Sequence, residues 1–373
     1  MKILIIGEYS GFAKNLKIGF ESLGHDVIIF HEGDGWKKID LGKNTYSYPF
    51  RRNFIFCGKS IRYSWFFRGL YYFPKFKIDK GKYSNYFDNV LIINYEFIRL
   101  SYQFWCPRFS MNDIKSVTKK QSKIFLSACG DDYVYLSYIS NFRYFSSIQF
   151  NSATHKYFSK NLLKTFECVI KNINGVIPIM CEYAITYREY QKQNSDIKVF
   201  NTIPLPIEII KNNTSNQFSK KKIVIFHGLN RISKGSDIII DALKKISEKY
   251  PEKIEVVIEG KIPLEKYLEI IKKAHIVIDQ CYSYSYGMNG LYSLALGKVV
   301  LSGNEPENEI EFRCKCPVIN ILPDEDDIFA KLEYFIQNPN EIEIISKKSV
   351  DYVEKLHDSI IVAQKYIDTF LSE

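Results

Sequence analysis

The sequence predicts an α/β protein with two domains, each built around a parallel β-sheet. In both halves of the chain, short apolar runs typical of buried strands alternate with amphipathic segments of helical period. Such an alternation favours parallel sheets with helices packed on their faces. The 373 residues suit two domains, because a single hydrophobic core stops growing at roughly 250–300 residues. The predicted domains span residues 1–207 and 208–357, and a final helix is predicted within residues 358–373.

The elements of the first domain follow in order from the first residue. Residues 3–6 predict a strand, residues 12–23 a helix and residues 26–30 a second strand. The same patterns then predict a strand at 89–94, a polar helix at 112–121, a strand that begins at 123 and ends in Gly130, Asp131 and Asp132, a strand at 175–179 and a helix at 182–191. A segment rich in Asn, Ser and Lys at 212–222 predicts the linker to the second domain.

The turn after the first strand contains two glycines, Gly7 and Gly11. Because glycine has no Cβ, the backbone of such a turn can approach a ligand closely. Both glycines are therefore candidate ligand-binding residues. The turn lacks the full G-x-G-x-x-G pattern of dinucleotide sites, so no bound dinucleotide is expected.

A basic loop separates the first strand of the second domain from its first helix. The strand is predicted at 223–226 and ends at His227, and the loop contains Arg231 and Lys234. A cation just before a helix opposes the helix dipole at a cost of roughly 0.3–1 kcal/mol. Two cations there are expected where an anion such as phosphate binds. Arg231 and Lys234, together with His227 at the end of the strand, are therefore candidates for such a site. On these residues alone, a pair of solvated loop cations is an equally good interpretation.

Two further segments complete the pattern of the second domain. A strand at 276–278 ends at Asp279, and residues 286–300 have the sequence YGMNGLYSLALGKVV. Together with the basic loop from Arg231 to Gly235, these elements extend over about 80 residues. Their order and spacing resemble the nucleotide-sugar site of GT-B glycosyltransferases, in particular the retaining family 4, also called group 1.

This resemblance implies two Rossmann-like domains that face each other across a cleft, with the final helix packed back on the first domain. It also implies a hexosyltransferase that takes a UDP- or GDP-sugar as substrate, retains the anomeric configuration and needs no metal ion or other cofactor. Arg231 and Lys234 would stabilise the leaving diphosphate. Gly287, Met288 and Asn289 would contact the donor.

The sequence departs from the family pattern at three positions. Two glutamates eight residues apart are usual in the family, where this chain has Tyr284 and Tyr292. A tyrosine can still hydrogen-bond a donor hydroxyl, without the strength of a charge-assisted bond. Cys129 stands in place of a usual histidine, whereas Gly130 and Asp132 match the family. Asp132 could bind an acceptor hydroxyl or act as a base, and a helix cap is at least as good an interpretation.

The net charge of +9 is concentrated in one aromatic segment, residues 41–83. This segment carries ten Lys and Arg residues against one acid, Asp79. Such a surface suits an anionic membrane with a lipid-linked acceptor, and ordinary packing in the first domain explains the segment as well. A nucleic-acid site would combine the same cations and rings, but the predicted fold argues against it. No apolar run reaches the roughly 18 residues of a membrane span, so we expect a cytoplasmic protein that can lie on the inner face of the cell membrane.

The predicted function is a glycosyltransferase of surface-polysaccharide assembly, such as capsule or O-antigen, with a saccharide or lipid-linked saccharide as acceptor. Two alternatives stay open: a non-catalytic GT-B-like binding or scaffolding protein, and a sugar-nucleotide epimerase. The loss of both glutamates favours the first alternative, and the tyrosines that replace them give the second no support. The eight cysteines contain no C-x-x-C pair, so neither a zinc site nor a disulfide framework is predicted.

Overall fold

Two parallel β-sheets organise the molecule, one in each half of the chain. The computed structural model describes residues 1–49, 54–56, 59–61, 64–103, 105–145, 156–209, 222–229 and 231–372. The linker predicted at 212–222 lies outside these ranges except for Lys222.

The first sheet has six strands in the order β3-β2-β1-β6-β7-β8, all paired in parallel. Its strands are β1 (Lys2–Ile6), β2 (Asp26–His31), β3 (Thr45–Ser47), β6 (Phe87–Ile92), β7 (Thr118–Ala128) and β8 (Gly175–Pro178). A separate antiparallel hairpin pairs β4 (Phe54–Phe56) with β5 (Lys59–Ile61). Helices cover this sheet on both sides, so its central strands consist of almost uninterrupted apolar residues. These helices are α1 (Phe12–Ser22), α2 (Ser64–Gly81), α3 (Met111–Val117), α4 (Tyr133–Tyr138), α5 (Lys160–Ile170) and α6 (Met180–Gln193).

The second sheet has five parallel strands in the order β10-β9-β11-β12-β13. Its strands are β9 (Ile223–Gly228), β10 (Ile254–Glu259), β11 (Ile276–Ile278), β12 (Val299–Ser302) and β13 (Ile319–Asn320). Its helices are α7 (Ser236–Lys249), α8 (Leu264–Lys273), α9 (Met288–Ala295), α10 (Pro306–Phe312), α11 (Glu325–Gln337) and α12 (Asn340–Leu356). The predicted alternation of strands and helices therefore appears in both halves. Among the described helices, none is both long and apolar enough to cross a membrane.

The last helix, α13 (Ser359–Leu371), leaves the second half and packs against α1. The two helices approach so closely that a Cβ added at Gly19 would lie 1.9 Å from the carbonyl oxygen of Ser359. Next to this contact, the ring of Phe20 packs against Tyr366 at 6.1 Å and Phe370 at 6.2 Å between centroids. The chain thus crosses between the two halves a second time.

The helix predicted at 112–121 is shorter than expected. Ser110 and Asp113 form a reciprocal capping box that starts α3, and the helix ends at Val117. Thr118 then begins β7, which pairs in parallel with β6. Pairing within the sheet overrides the helical pattern of the polar residues that follow, because local propensity is a weak preference.

Side chains of the two halves contact each other directly. Arg143 forms ion pairs with Glu305 at 2.7 Å and with Glu307 at 2.6 Å. Arg188 forms an ion pair with Glu311 at 2.7 Å. These contacts hold the carboxyl ends of the two sheets opposite one another.

Candidate functional site in the interdomain cleft

A cleft of about 370 Å³ lies between the carboxyl ends of the two sheets. Open α/β sheets bind ligands at this edge, because the loops that follow the strands converge there. The first domain contributes segments that follow β1, β2, β6, β7 and β8, and the second contributes segments that follow β9 and β11. Five of the residues proposed from the sequence line the cleft: Arg231, Lys234, Gly287, Met288 and Asn289.

Lys234 is fixed in one wall of the cleft by the buried carboxylate of Asp279. The two form an ion pair, and the side chain of Asp279 is only 1% exposed. The other oxygen of this carboxylate accepts a hydrogen bond from the backbone N–H of Gly287 at 3.1 Å. One buried acid therefore positions both the basic loop and the start of α9. Arg231, by contrast, is exposed to solvent within the cleft.

The first turn of α9 faces the same wall. Gly287 occupies the N-cap position, and no side chain caps the helix or adds an acid to its first turn. The first N–H groups of a helix have no partner within it and carry a partial positive charge. Arg231, Lys234 and this helix start consequently form a surface suited to an anion.

The opposite wall is formed by the first domain and is rich in aromatic and acidic groups. Tyr9 donates a hydrogen bond to Glu96, which also accepts one from Lys156 at 3.0 Å. Asp131 and Trp36 line the same side. Among the residues that the structure describes, no group of three or more His, Cys, Asp or Glu is placed to hold a metal ion.

Asp132 does not line the cleft, contrary to its proposed catalytic role. It is buried and caps α4, accepting hydrogen bonds from the backbone N–H of Tyr135 at 2.7 Å and the hydroxyl of Tyr187 at 2.8 Å. Burial raises the pKa of its carboxyl to about 7. The neighbouring Asp131 is the residue that lines the cleft. The two acids lie on opposite sides of the chain because the backbone is extended at Asp132, where the helix begins.

The raised pKa of Asp132 predicts a pH-dependent difference between wild type and Asp132→Asn. A carboxyl whose pKa is higher in the folded state than its ordinary 3.8 contributes stability below about pH 4 and loses it as the pH rises through about 7. Asparagine does not titrate, so the unfolding free energy of the variant should rise relative to wild type by roughly 2 kcal/mol between pH 5 and 7.5. Urea denaturation at both pH values measures this, with the exposed Asp326→Asn as control. A constant difference would contradict the prediction.

His227 is likewise not available to a ligand. The residue is completely buried, and its ring nitrogens are 2.9 Å from the carbonyl oxygen of Ile278 and 3.0 Å from the hydroxyl of Ser236. Burial lowers its pKa. The imidazole thus ties β9 to β11 and α7, and its proposed contact with phosphate or sugar does not fit this structure.

Tyr284 and Tyr292 connect the two domains and do not line the cleft. The hydroxyl of Tyr284 accepts a hydrogen bond from the backbone N–H of Arg143 at 2.5 Å, and the guanidinium of Arg143 lies 4.5 Å from the ring centroid. The hydroxyl of Tyr292 donates to the carbonyl oxygen of Ser10 at 3.2 Å and lies 3.3 Å from the amide of Asn15. Their proposed roles as donor contacts are therefore corrected: both side chains point to the first domain.

Gly7 and Gly11 are required by internal packing. Both have positive φ angles, of 107° and 90°, which favour glycine. A Cβ at Gly7 would lie 2.3 Å from the ring of Phe97, and a Cβ at Gly11 would lie 2.1 Å from the hydroxyl of Tyr292. Protein side chains fill the space that was proposed for a ligand, so neither glycine lines the cleft.

Several cleft residues were not anticipated from the sequence. They include Tyr9, Trp36, Lys37, Lys156, Glu182 and Ser285. Glu182 begins the helix predicted at 182–191, three residues after the strand predicted at 175–179, so its position near the carboxyl end of that strand was a usable signal. Trp36 and Lys37 belong to a single turn of 3-10 helix, Gly35–Lys37, and Lys156 lies between α4 and α5. Such short segments carry no periodic pattern that could locate their side chains in space.

The whole chain is similar in structure to solved glycosyltransferases and related proteins. Sucrose-phosphate synthase from Thermosynechococcus elongatus matches over 100% of both chains with a TM-score of 0.61 and 12% identity. Anabaena HepE in complex with UDP matches over 100% of both chains with a TM-score of 0.58 and 12% identity. A glycosyltransferase from Rickettsia africae matches over 99% of this chain and 97% of its own with a TM-score of 0.53 and 13% identity. No protein-family model matches the sequence, and no curated protein does.

These similarities define the class of fold. The chain has the GT-B fold, with two Rossmann-like domains that face each other across a cleft. The fold class predicted from the sequence and the predicted resemblance to GT-B glycosyltransferases are thereby confirmed at the level of structure.

Proposed function

We propose that this protein is a glycosyltransferase that moves a sugar from a UDP- or GDP-sugar to a hydroxyl of a saccharide or lipid-linked saccharide. The observation that carries the proposal is the convergence of Arg231, Lys234 and the uncapped start of α9 on one wall of the cleft. HepE, which is similar in structure, has been solved in complex with UDP, and this supports a nucleotide as the ligand.

The wall formed by Arg231, Lys234 and the first turn of α9, which we call the basic wall, supports catalysis through electrostatic stabilisation. When the bond to the sugar breaks, negative charge develops on the diphosphate, and groups held in place beforehand stabilise it without reorganisation. Asp279 holds Lys234 and the backbone N–H of Gly287 in place, and Arg231 lines the same wall of the cleft. These cations supply the positive charge that a metal ion would otherwise provide. Independence of metal ions and retention of the anomeric configuration are parts of the proposal that rest on the sequence resemblance.

The first domain would hold the acceptor. Tyr9 and Trp36 offer aromatic surface, and Asp131 offers a carboxylate that can accept a hydrogen bond from a sugar hydroxyl. Their position opposite the basic wall leaves the space between for the reacting sugar. We assign Asp131, in place of Asp132, to the contact with the acceptor hydroxyl.

A lipid-linked acceptor and a membrane location are supported by the outer face of α2. Phe67, Tyr71 and Ile78 are 66%, 74% and 67% exposed along this face. Lys75 and Lys77 are exposed beside them. Apolar side chains flanked by lysines suit the headgroup region of an anionic bilayer. There, each cation contributes about 1 kcal/mol to the free energy of membrane binding. Four other basic residues of segment 41–83, at 51, 52, 59 and 62, have side chains outside the described residues, whereas Lys80 and Lys82 form ion pairs with Asp113 and Asp79. We propose that this face binds the inner surface of the cell membrane during surface-polysaccharide assembly.

Vesicle flotation tests the membrane proposal. Wild type should float with vesicles that contain phosphatidylglycerol and stay in solution with pure phosphatidylcholine. Lys75→Glu/Lys77→Glu should weaken binding at least about tenfold, because two attractive charges become repulsive. Tyr334→Ser/Ile344→Ser removes exposed apolar groups from the second domain and should change nothing. Equal binding of the lysine variant and wild type would overturn the assignment of α2.

A non-catalytic binding protein is the second candidate. It is favoured by the positions of Tyr284 and Tyr292, whose hydroxyls contact Arg143 and Ser10 of the first domain. The cleft then lacks both side chains that stand where the family has glutamates. This candidate predicts nucleotide binding without turnover.

Nucleotide binding and turnover together test the proposed function. At 100 times its dissociation constant, UDP or GDP adds about 2.7 kcal/mol to the stability, which for a chain of this length corresponds to a rise in melting temperature of roughly 3–4 °C. CMP should give no shift. Release of UDP or GDP from a panel of nucleotide sugars, measured with and without EDTA, then separates the two candidates. A shift without turnover for any donor and acceptor would favour the binding protein, and no shift with any nucleotide would overturn the donor site.

A further inference from the structure

Glu182 connects the first domain to the loop that precedes α9. It lies in the first turn of α6, and its carboxylate is buried. One carboxylate oxygen accepts a hydrogen bond from the backbone N–H of Tyr284 at 2.8 Å and lies 2.8 Å from the hydroxyl of Ser283. The other accepts a hydrogen bond from the hydroxyl of Ser285 at 2.9 Å. All three partners belong to the second domain.

Residues 283–285, which we call the donor loop, lead directly into the wall of the cleft. The loop continues through Tyr286 to Gly287, the N-cap of α9. Within the second domain, the amide of Gln280 donates to the carbonyl oxygen of Ser285 at 2.9 Å. The backbone N–H of Glu305 donates to the carbonyl oxygen of Tyr284 at 2.9 Å. These two bonds use carbonyl oxygens of the donor loop. Glu182, by contrast, accepts hydrogen bonds from the N–H and hydroxyl groups of the loop.

The hydrogen bonds of Glu182 depend on contact between the domains. A buried carboxylate is stable only when its oxygens accept enough hydrogen bonds, and here the donor loop supplies them. Conversely, the N–H of Tyr284 and the hydroxyl of Ser285 are buried and lose their acceptor without Glu182. Burial raises the pKa of Glu182, and the bonds from Tyr284, Ser283 and Ser285 act against that shift. Because three groups of the loop share this one acceptor, a single side chain can order the loop.

We infer that Glu182 is a positioning residue through which the first domain orders the donor loop and thereby completes the nucleotide site of the second domain. The inference rests on the proposed function. Glu182 acts through the loop and α9, because its oxygens are occupied by Ser283, Tyr284 and Ser285.

Three variants test this role. Glu182→Ala removes every bond to the donor loop and should weaken the binding of the preferred nucleotide, UDP or GDP, at least tenfold. Glu182→Gln keeps an oxygen that accepts from Tyr284 and an amide that can donate to Ser285, so its dissociation constant should stay within about threefold of wild type. Glu311→Ala is the matched control, because it also removes a carboxylate that bridges the domains, at a site away from the loop. Its nucleotide affinity should equal that of wild type.

Steady-state kinetics distinguish positioning from a general loss of folded protein. In Glu182→Ala the KM for the donor should rise while the KM for the acceptor stays unchanged, whereas partial unfolding would lower kcat and leave both KM values unchanged. If Glu182→Ala does not fold, Ser283→Ala/Ser285→Ala removes two of the three contacts from the loop side and should raise the donor KM in the same way. Donor binding by Glu182→Ala equal to that of wild type would overturn the inference and leave the proposed function intact. Failure of wild type to bind any nucleotide would instead overturn the proposed function itself.

Discussion

Arg231→Gln should abolish detectable nucleotide binding and lower kcat/KM by a factor of about 10²–10³, the usual cost of one lost stabilising donor at the reacting charge. Arg231 is exposed in the cleft, and its charged neighbour there is Asp131, whose carboxylate raises the pKa of the guanidinium. Its removal should therefore lower the free energy of unfolding by no more than about 1 kcal/mol, the usual upper contribution of an exposed charge pair. Isothermal titration with UDP and GDP, together with urea denaturation, measures both quantities.

Lys245→Gln is the matched control for this experiment. Lys245 is an exposed cation on α7 of the same domain, paired with Asp326 and remote from the cleft. Its loss should change neither nucleotide binding nor turnover. Full activity of Arg231→Gln would remove the basic wall from the mechanism and favour a non-catalytic role.

Lys234→Met should destabilise the protein by about 3–5 kcal/mol, the usual cost of leaving a buried charge without its partner. Lys234 is the cation that pairs with Asp279, whose side chain is only 1% exposed. Methionine matches the length of the lysine stem, so it leaves no cavity. The loss of stability therefore measures the cost of the unpaired carboxylate of Asp279. Chemical denaturation of wild type and variant at the same pH measures the difference.

The double variant Lys234→Met/Asp279→Asn separates stability from function. Replacing the buried acid as well removes the unpaired charge, and the asparagine oxygen can still accept the N–H of Gly287. The double variant should therefore recover most of the lost stability, whereas nucleotide binding should stay impaired because the cation is absent. If nucleotide binding returned together with stability, Lys234 would have only a structural role.

Contacts between the two domains account for the positions of Tyr284, Tyr292 and Glu182. Tyr284 and Tyr292 contact Arg143 and Ser10, and Glu182 supplies a carboxylate from the first domain to the donor loop. Two positions that depart from the family pattern thus serve the contact between the domains. Glu182, which no sequence motif singled out, is the carboxylate that lines the cleft beside the donor loop.

The sequence by itself determined the alternation of strands and helices and the location of the basic wall. Buried parallel strands require apolar runs, and helices packed on a sheet require an apolar face, so both patterns are local properties of the chain. Arg231, Lys234 and Gly287 could be assigned to one edge of the sheet because parallel strands place their carboxyl ends together.

Only the tertiary structure decided which polar side chains face the cleft. Asp131 and Asp132 are adjacent in sequence, yet one lines the cleft and the other caps a helix. His227 follows a buried strand at the expected edge, but its ring contacts β11 and α7. The physical reason is that the direction of a side chain and the partner of a buried polar group depend on neighbours distant in sequence, whereas hydrophobic period and helix capping depend on residues close by.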